Sequence, residues 1–269
     1  MKRLLRDTCI ILAQITGASW AFRARLRTKG PLVRVVVFHD VRDREWFLES
    51  IGTLSEHYHM LTPEEFLSGK LDTTRINVLI TFDDGYASWV DVCLPVLALH
   101  NVKALFFMNS GLLDAQGAEE QATFVRERLL LTQPHSTLSW EGARVLLRAG
   151  HTVGGHTRSH RRLSELSAAI QEAEIKDDKA RLTEMLGTSI TTFAYPFGND
   201  SDYTSDTAHL VREAGYTHAF TTHGTFADTR TPYTLSRLCI EDNLSPTALR
   251  RWVAGGYDIY GILKKLCAR

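Results

Sequence analysis

Two adjacent carboxylates, Asp83 and Asp84, close an apolar run over residues 76–82 and are followed at once by Gly85. Neighbouring side chains at a strand end point to opposite sides. A glycine lets the backbone leave the strand sharply, so both carboxylates can face one cleft. Two close carboxylates repel unless a cation or a proton lies between them, which is how a site makes one a metal ligand and the other a base. Asp-Asp-Gly is also ordinary turn chemistry, and alone it reads as a solvated turn. Further on, Gly154-Gly155-His156-Thr157-Arg158-Ser159-His160 sets two histidines four residues apart, directly after an expected strand. In a helix or tight turn both imidazoles reach the same side, where they suit zinc and similar divalent ions; the bland alternative is polar surface. With Asp84 as third ligand, His156 and His160 make a His-His-carboxylate site with positions left for water and substrate. Zinc used in this way lowers the pKa of its water to about 7. A third stretch, Phe193-Ala194-Tyr195-Pro196-Phe197-Gly198-Asn199, runs from a strand into a turn. Backbone N–H groups near Phe197 could face the cleft and stabilise a developing oxyanion, worth about 3–4 kcal/mol per donor. As a turn alone it is a weak signal.

Positioning these residues requires a scaffold, and from Pro31 onward strand and helix patterns alternate. Strands are expected over residues 33–39, 58–61, 76–82, 103–108, 152–155, 190–194, 217–222 and 235–240. Helices are expected over residues 46–57, 89–100, 139–149, 167–186, 206–214 and 246–266, with a further start at Thr62-Pro63-Glu64-Glu65. The diglycine at Gly154-Gly155 is read as a place where the backbone turns. Residues 110–138 break the rhythm with a polar loop around one helix at 121–131, an insertion near the cleft rather than a second domain. Repeated βα units without a linker predict one α/β domain, a parallel barrel.

The 269 residues can bury a sizeable core, and 31 basic against 31 acidic residues give no argument for nucleic acid. Charge is concentrated at the ends. Residues 1–30 hold seven Lys/Arg against Asp7, and residues 246–269 hold five against Asp258. The four cysteines are scattered, with Cys93 and Cys239 read as small core residues, and a disulfide framework is not expected. The basic Lys2 to Arg6 and the apolar residues 9–22 resemble the start of a signal peptide. The arginines at 23, 25 and 27 and Lys29 oppose translocation, and the run is too short for the roughly 20 apolar residues of a span. Leu4, Ile11, Ile15, Phe22 and Leu26 recur near helical spacing. Two readings stand level: a helix lying on an anionic membrane surface, or an amphipathic helix packed on the domain.

Thr81-Phe82-Asp83-Asp84-Gly85, then His156-Thr157-x-x-His160, then Tyr195-Pro196-Phe197-Gly198, in this order and after these strands, resembles the polysaccharide deacetylases, the nodulation-type deacetylase homology domain. The resemblance covers residues 33–242. It implies a distorted (β/α)7-type barrel in a single domain, here residues 31–245 between a basic amphipathic segment (1–30) and a closing basic helix (246–269). It further implies Asp83 as general base, Asp84, His156 and His160 as ligands of a divalent metal, zinc in the first instance, and the Phe197 amide, in the turn with Tyr195, as the oxyanion donor. Many members carry an arginine in the third motif that orients the base. Ala194 occupies that position here, and Arg237 is the candidate replacement. No histidine follows His223, so the chain resembles a permuted branch whose catalytic histidine ends the first strand, which places His39 as general acid; a core histidine bonded to a loop is the alternative. The remaining histidines, His135 among them, are read as surface or structural.

The expected activity is therefore hydrolysis of an N-acetyl amide on an amino sugar of a glycan. A deacetylase or deformylase of a lipid-linked sugar at the membrane is the second reading, and a catalytically silent carbohydrate-binding relative the third. The expected location is the cytoplasm, peripheral on the inner membrane face, with a secreted or periplasmic enzyme as the alternative.

Overall fold

A computed structural model describes residues 2–267. The side chains of Lys2, Arg3, Leu4, Lys265 and Cys267, and all of Arg269, named or counted above, lie outside the described residues. Helices α1 (Lys2–Ile15) and α2 (Ala18–Arg27) precede β1 (Leu32–Phe38), α3 (Arg44–His57), β2 (His59–Met60), α4 (Pro63–Leu67) and β3 (Ile76–Phe82). Then come α5 (Leu94–Leu99), β4 (Ala104–Met108), α6 (Ser110–Asp114), α7 (Gly117–Glu127), α8 (Trp140–Arg148), β5 (Thr152–Gly155) and α9 (Ala168–Leu186). The chain ends with β6 (Thr192–Ala194), α10 (Ser205–Glu213), β7 (His218–Thr221), β8 (Leu235–Cys239), α11 (Pro246–Arg251) and α12 (Tyr257–Cys267).

Among the described residues the sheet closes on itself. The order β1-β8-β7-β6-β5-β4-β3 is completed by pairing of β1 with β3, all parallel. This is the expected distorted barrel of seven strands. The two-residue β2 shares an edge of β3 with β4, pairing at Asn77 and Val78 while β4 pairs from Ile80 onward. Both faces of β1 and β3 are buried, as continuous apolar runs require in a parallel sheet covered by helices. Alternation then divides each strand. Val33, Val35, Leu79, Leu105, Phe107 and Phe220 fill the interior, while Val36, Phe38, Ile80, Phe82 and Phe106 belong to the larger core beneath the helices. Thr62 and Glu65 form a reciprocal cap at α4.

Four elements depart from the sequence reading. The helix expected over 89–100 opens with a wider π turn, Trp89–Cys93, and becomes α-helical at Leu94, where Pro95 occupies the first turn. The insertion holds two helices, α6 and α7, separated before Gly117, whose φ is 75°. The closing helix is broken at Gly255 (φ 94°), and the N-terminal one at Gly17 (φ 76°). Through its inner side α1 packs on the domain: Ile10 lies in the main core, and the Arg6 guanidinium sits 4.4 Å over the Trp252 ring.

Candidate active site

The carboxyl ends of β1, β3, β5 and β8 and the insertion border a cavity of about 630 Å³. Its wall includes His39, Asp83, Asp84, His156, His160 and Phe197. In a parallel barrel every strand delivers its C-terminal residues to the same end, which is why motifs some seventy residues apart meet there. Asp83 continues β3 with its side chain inward. There it accepts two hydrogen bonds from Arg237 of β8, Nη1 to Oδ1 and Nη2 to Oδ2, both 2.6 Å, with both residues buried. The residue foreseen as a replacement thus makes a two-pronged ion pair, the geometry for which a guanidinium is suited.

Asp84 takes a φ of 86° and turns its carboxylate the other way. Oδ2 accepts from the Tyr86 hydroxyl at 2.9 Å, and Oδ1 faces His156 Nε2 at 3.5 Å and His160 Nε2 at 3.3 Å. The Nδ1 atoms bond to backbone carbonyls, His156 to Ala194 at 2.7 Å and His160 to Arg128 at 3.0 Å. A carbonyl only accepts, so each Nδ1 carries a proton and Nε2 is the ring atom turned toward Asp84, available as a ligand once its own proton is off. The three ligand atoms lie within 4.8 Å of one another, all on buried residues. One carboxylate and two oriented imidazoles fit a divalent cation of the zinc type.

Electrostatics hold both carboxyls as anions, each through different partners. Burial alone would raise Asp83, but the Arg237 guanidinium outweighs it and holds the group below the ordinary carboxylate range. Burial is outweighed again at Asp84, by His156 and His160. Burial disfavours a charged His156, yet Asp83 and Asp84 raise it above the ordinary imidazole value. His160 is held down at about 4 by burial, with Asp84 opposing only in part.

Helix α9 supports the histidine loop from behind. Asp178 accepts from the backbone N–H of Ser110 (2.8 Å) and of His156 (3.1 Å), and one turn earlier Glu174 accepts from the N–H of Ser159 (2.8 Å). Asn109 donates to the carbonyls of His156 and Thr157. Gly154 and Gly155 prove to be strand residues, and what they supply is close approach rather than a turn. A Cβ on Gly155 would meet the Tyr216 hydroxyl and lie 2.9 Å from Asp178 Oδ2. The turning is done by Thr157 (φ 64°) and His160 (φ 51°), and at the third motif by Phe197 (φ 62°). With Asp84, these are four left-handed non-glycine residues in one site, each costing about 1–3 kcal/mol.

His39 lies half-buried on the cavity wall at the end of β1, its carbonyl accepting from the Trp89 indole N–H at 3.0 Å. Phe197 is also on the wall, and its N–H has no acceptor among the described residues. Tyr195 does not reach the cavity. Its ring is buried and stacked on Tyr203 (4.3 Å between centroids), and its hydroxyl donates to the Tyr233 carbonyl at 3.0 Å. Alternation along the segment turns Tyr195 away while the turn brings Phe197 in. Cys239, expected in the core, is exposed on the cavity wall because it follows β8 to the open end.

Sequence reasoning missed Tyr86, Asp178 and the pair Asp40–His135, whose His135 Nδ1 lies 2.8 Å from Asp40 Oδ2 on the cavity wall. The position of Asp40 beside His39 was the available signal; nothing local marks His135, which the insertion delivers from 95 residues away.

A family model described as polysaccharide deacetylase matches residues 70–219. The chain is 26% identical over 200 residues to YxkH of Bacillus subtilis (strain 168), covering 73% of this chain and 64% of that protein, so it spans less than two thirds of that relative's length. The solved deacetylase PplD of Streptococcus pyogenes, in complex with acetate, is similar at a TM-score of 0.70 and 22% identity, over 82% of this chain and 98% of that one. IcaB from Ammonifex degensii is similar at a TM-score of 0.66 and 22% identity, over 84% and 98%. At these identities the structures speak for the fold, and the family match spans more than half the sequence. The chain belongs to the polysaccharide deacetylase family.

Proposed function

We propose that the protein is a metal-dependent hydrolase that removes the N-acetyl group from an amino sugar of a glycan, releasing acetate and a free amine. The observation that carries this reading is the juxtaposition of Asp83, paired behind the wall with buried Arg237, with Asp84, His156 and His160 on one cavity wall. Asp84, His156 and His160 would hold the cation, zinc by ligand type, which when bound polarises the amide carbonyl and acidifies water. Asp83, kept anionic by Arg237, takes a proton from the attacking water as its oxygen bonds to the carbonyl carbon. Arg237 also fixes the carboxylate's direction, so that the base does not rotate toward Asp84. The Phe197 N–H, on the cavity wall and without an acceptor among the described residues, would donate to the carbonyl oxygen as negative charge develops there. As the C–N bond breaks, His39 delivers a proton to the departing nitrogen. Atoms balance: one water is consumed, and the amine and acetate leave. PplD holds acetate, the product expected here.

The test is acetate release from N-acetylated polymers, free N-acetylhexosamines and lipid-linked sugars, with chelated protein and with zinc restored. Release that disappears on chelation and returns with metal is expected. Tight zinc binding without release from any of these would favour the catalytically silent carbohydrate-binding relative, and formate rather than acetate would reassign the acyl group.

A further inference from the structure

The inner side of α1 is committed to the domain through Arg6, Ile10 and Ala13. Its outer side is not. Leu5 is 59% exposed, Leu12 53% and Ile15 76%, and Trp20, just past the Gly17 break, is 69% exposed. Positions 5, 8, 12 and 15 fall on one helical arc, and the only polar residue among them is Thr8. Helix α12 packs against α1 and exposes Leu263 (43%) and Leu266 (61%) on the same pair of helices. A soluble surface scatters such side chains singly, whereas two adjacent helices that both turn large apolar residues outward mark a surface with a partner.

Charge selects the partner. The first 30 residues hold seven basic residues against one acid, and Arg25, Lys29 and Lys264 are exposed among the described ones. A second copy would bring two strongly positive segments together. An anionic lipid surface meets them with opposite charge, and receives the leucines, Ile15 and the indole at the depth where aromatic rings sit. None of the described helices is long and apolar enough to cross a bilayer. We infer that the outward face of α1, Trp20 and α12 docks the protein flat on an anionic membrane surface. The docked helix is tied to the cavity, since Arg6 donates to Glu241 on its wall at 2.5 Å. A sugar borne on a lipid would then be the favoured substrate, a consequence that rests on the deacetylase reading above, whereas docking itself does not.

The experiment is flotation of the full chain with phosphatidylcholine vesicles, with and without phosphatidylglycerol, at low and high salt, together with tryptophan emission. Binding is expected only with phosphatidylglycerol, reversed by high salt, with a blue shift that Trp20→Phe removes. Leu12→Ser combined with Ile15→Ser, both exposed, should weaken binding by about tenfold or more while leaving the urea midpoint unchanged. No binding by the full chain, equal binding to neutral vesicles, or unweakened binding by the double variant would each overturn the inference. So would a dimer in sedimentation that shields Trp20 from a soluble quencher, since the face would then belong to a second copy. None of these readouts requires catalysis, so a failed activity assay leaves the docking result standing.

Discussion

Asp83 and Asp84 are neighbours in sequence with opposite environments, and the difference lies in their partners. Asp83 faces a guanidinium that holds it as an anion, and Asp84 faces the Nε2 atoms of two imidazoles. Asp83→Asn is therefore expected to bind zinc normally by calorimetry and to lose about 10²–10⁴-fold in turnover. Asp84→Ala or His156→Ala should lose the metal itself. Equal metal loss in Asp83→Asn would mean that the two carboxylates have been assigned the wrong way round. For His39 the expectation is a comparable fall in turnover on changing it to Ala, with zinc affinity kept, because it lies on the cavity wall outside the ligand set. Unchanged turnover would remove it from the mechanism and turn attention to His135, the other cavity histidine outside that set.

At the scale of elements, the site is made by strand ends and braced by one helix. Strand β5 presents His156, and α9 packs so closely behind it that Asp178 bonds the His156 backbone N–H directly. That approach is possible only because residue 155 has no Cβ. Gly155→Ala should force β5 and α9 apart, costing about 1–3 kcal/mol as overpacked cores do. Zinc affinity should fall with it, because the backbone that aims His156 moves. Urea denaturation of the metal-free protein and zinc titration measure the two effects separately. A variant with wild-type stability and affinity would show that the loop, and not α9, sets the ligand geometry.

Over the whole molecule, the terminal helices are bound to the barrel by buried charge as well as by apolar packing. Arg34, on the outer side of β1, donates to Asp258 of α12 at 2.5 Å and to the Gly224 carbonyl at 3.1 Å, and its guanidinium lies 3.8 Å over the Phe226 ring. Both charged residues are buried. Removing one member of such a pair strands the other, so Asp258→Ala is expected to cost about 3–5 kcal/mol in urea unfolding. Arg34→Met combined with Asp258→Leu should recover most of that loss. If the double variant is as unstable as the single one, the pair is not what fixes α12. That anchorage matters because α12 and α1 together carry the outward apolar face.

Local pattern was enough to read the barrel. Runs such as residues 33–39 and 76–82 are largely apolar on both faces, interrupted by Arg34, Asn77 and Thr81, as in a covered parallel strand, and their alternation with capped helices leaves few topologies. The candidate ligands were legible only through the order of the three motifs and the family resemblance it carries, because Asp-Asp-Gly alone is ordinary turn chemistry and His-x-x-x-His alone can be polar surface. The helix breaks at Gly17 and Gly255 were not legible, since a glycine within a helical pattern is ordinary until φ is known. Neither was the role of the Gly154-Gly155 pair, because what crowds them, Tyr216, Asp178 and Phe107, arrives from other elements. Arg237 could be named as a candidate, but its two hydrogen bonds to Asp83 span 154 residues, and only closure of the barrel between β1 and β8 brings them within reach. His135 and Tyr195 mark the same boundary from opposite sides, one brought into the cavity by an insertion and the other turned away by alternation. Short-range pattern determines which residues form strands and which could bind a metal; which side chains finally share a cavity is decided by packing between segments distant in the chain.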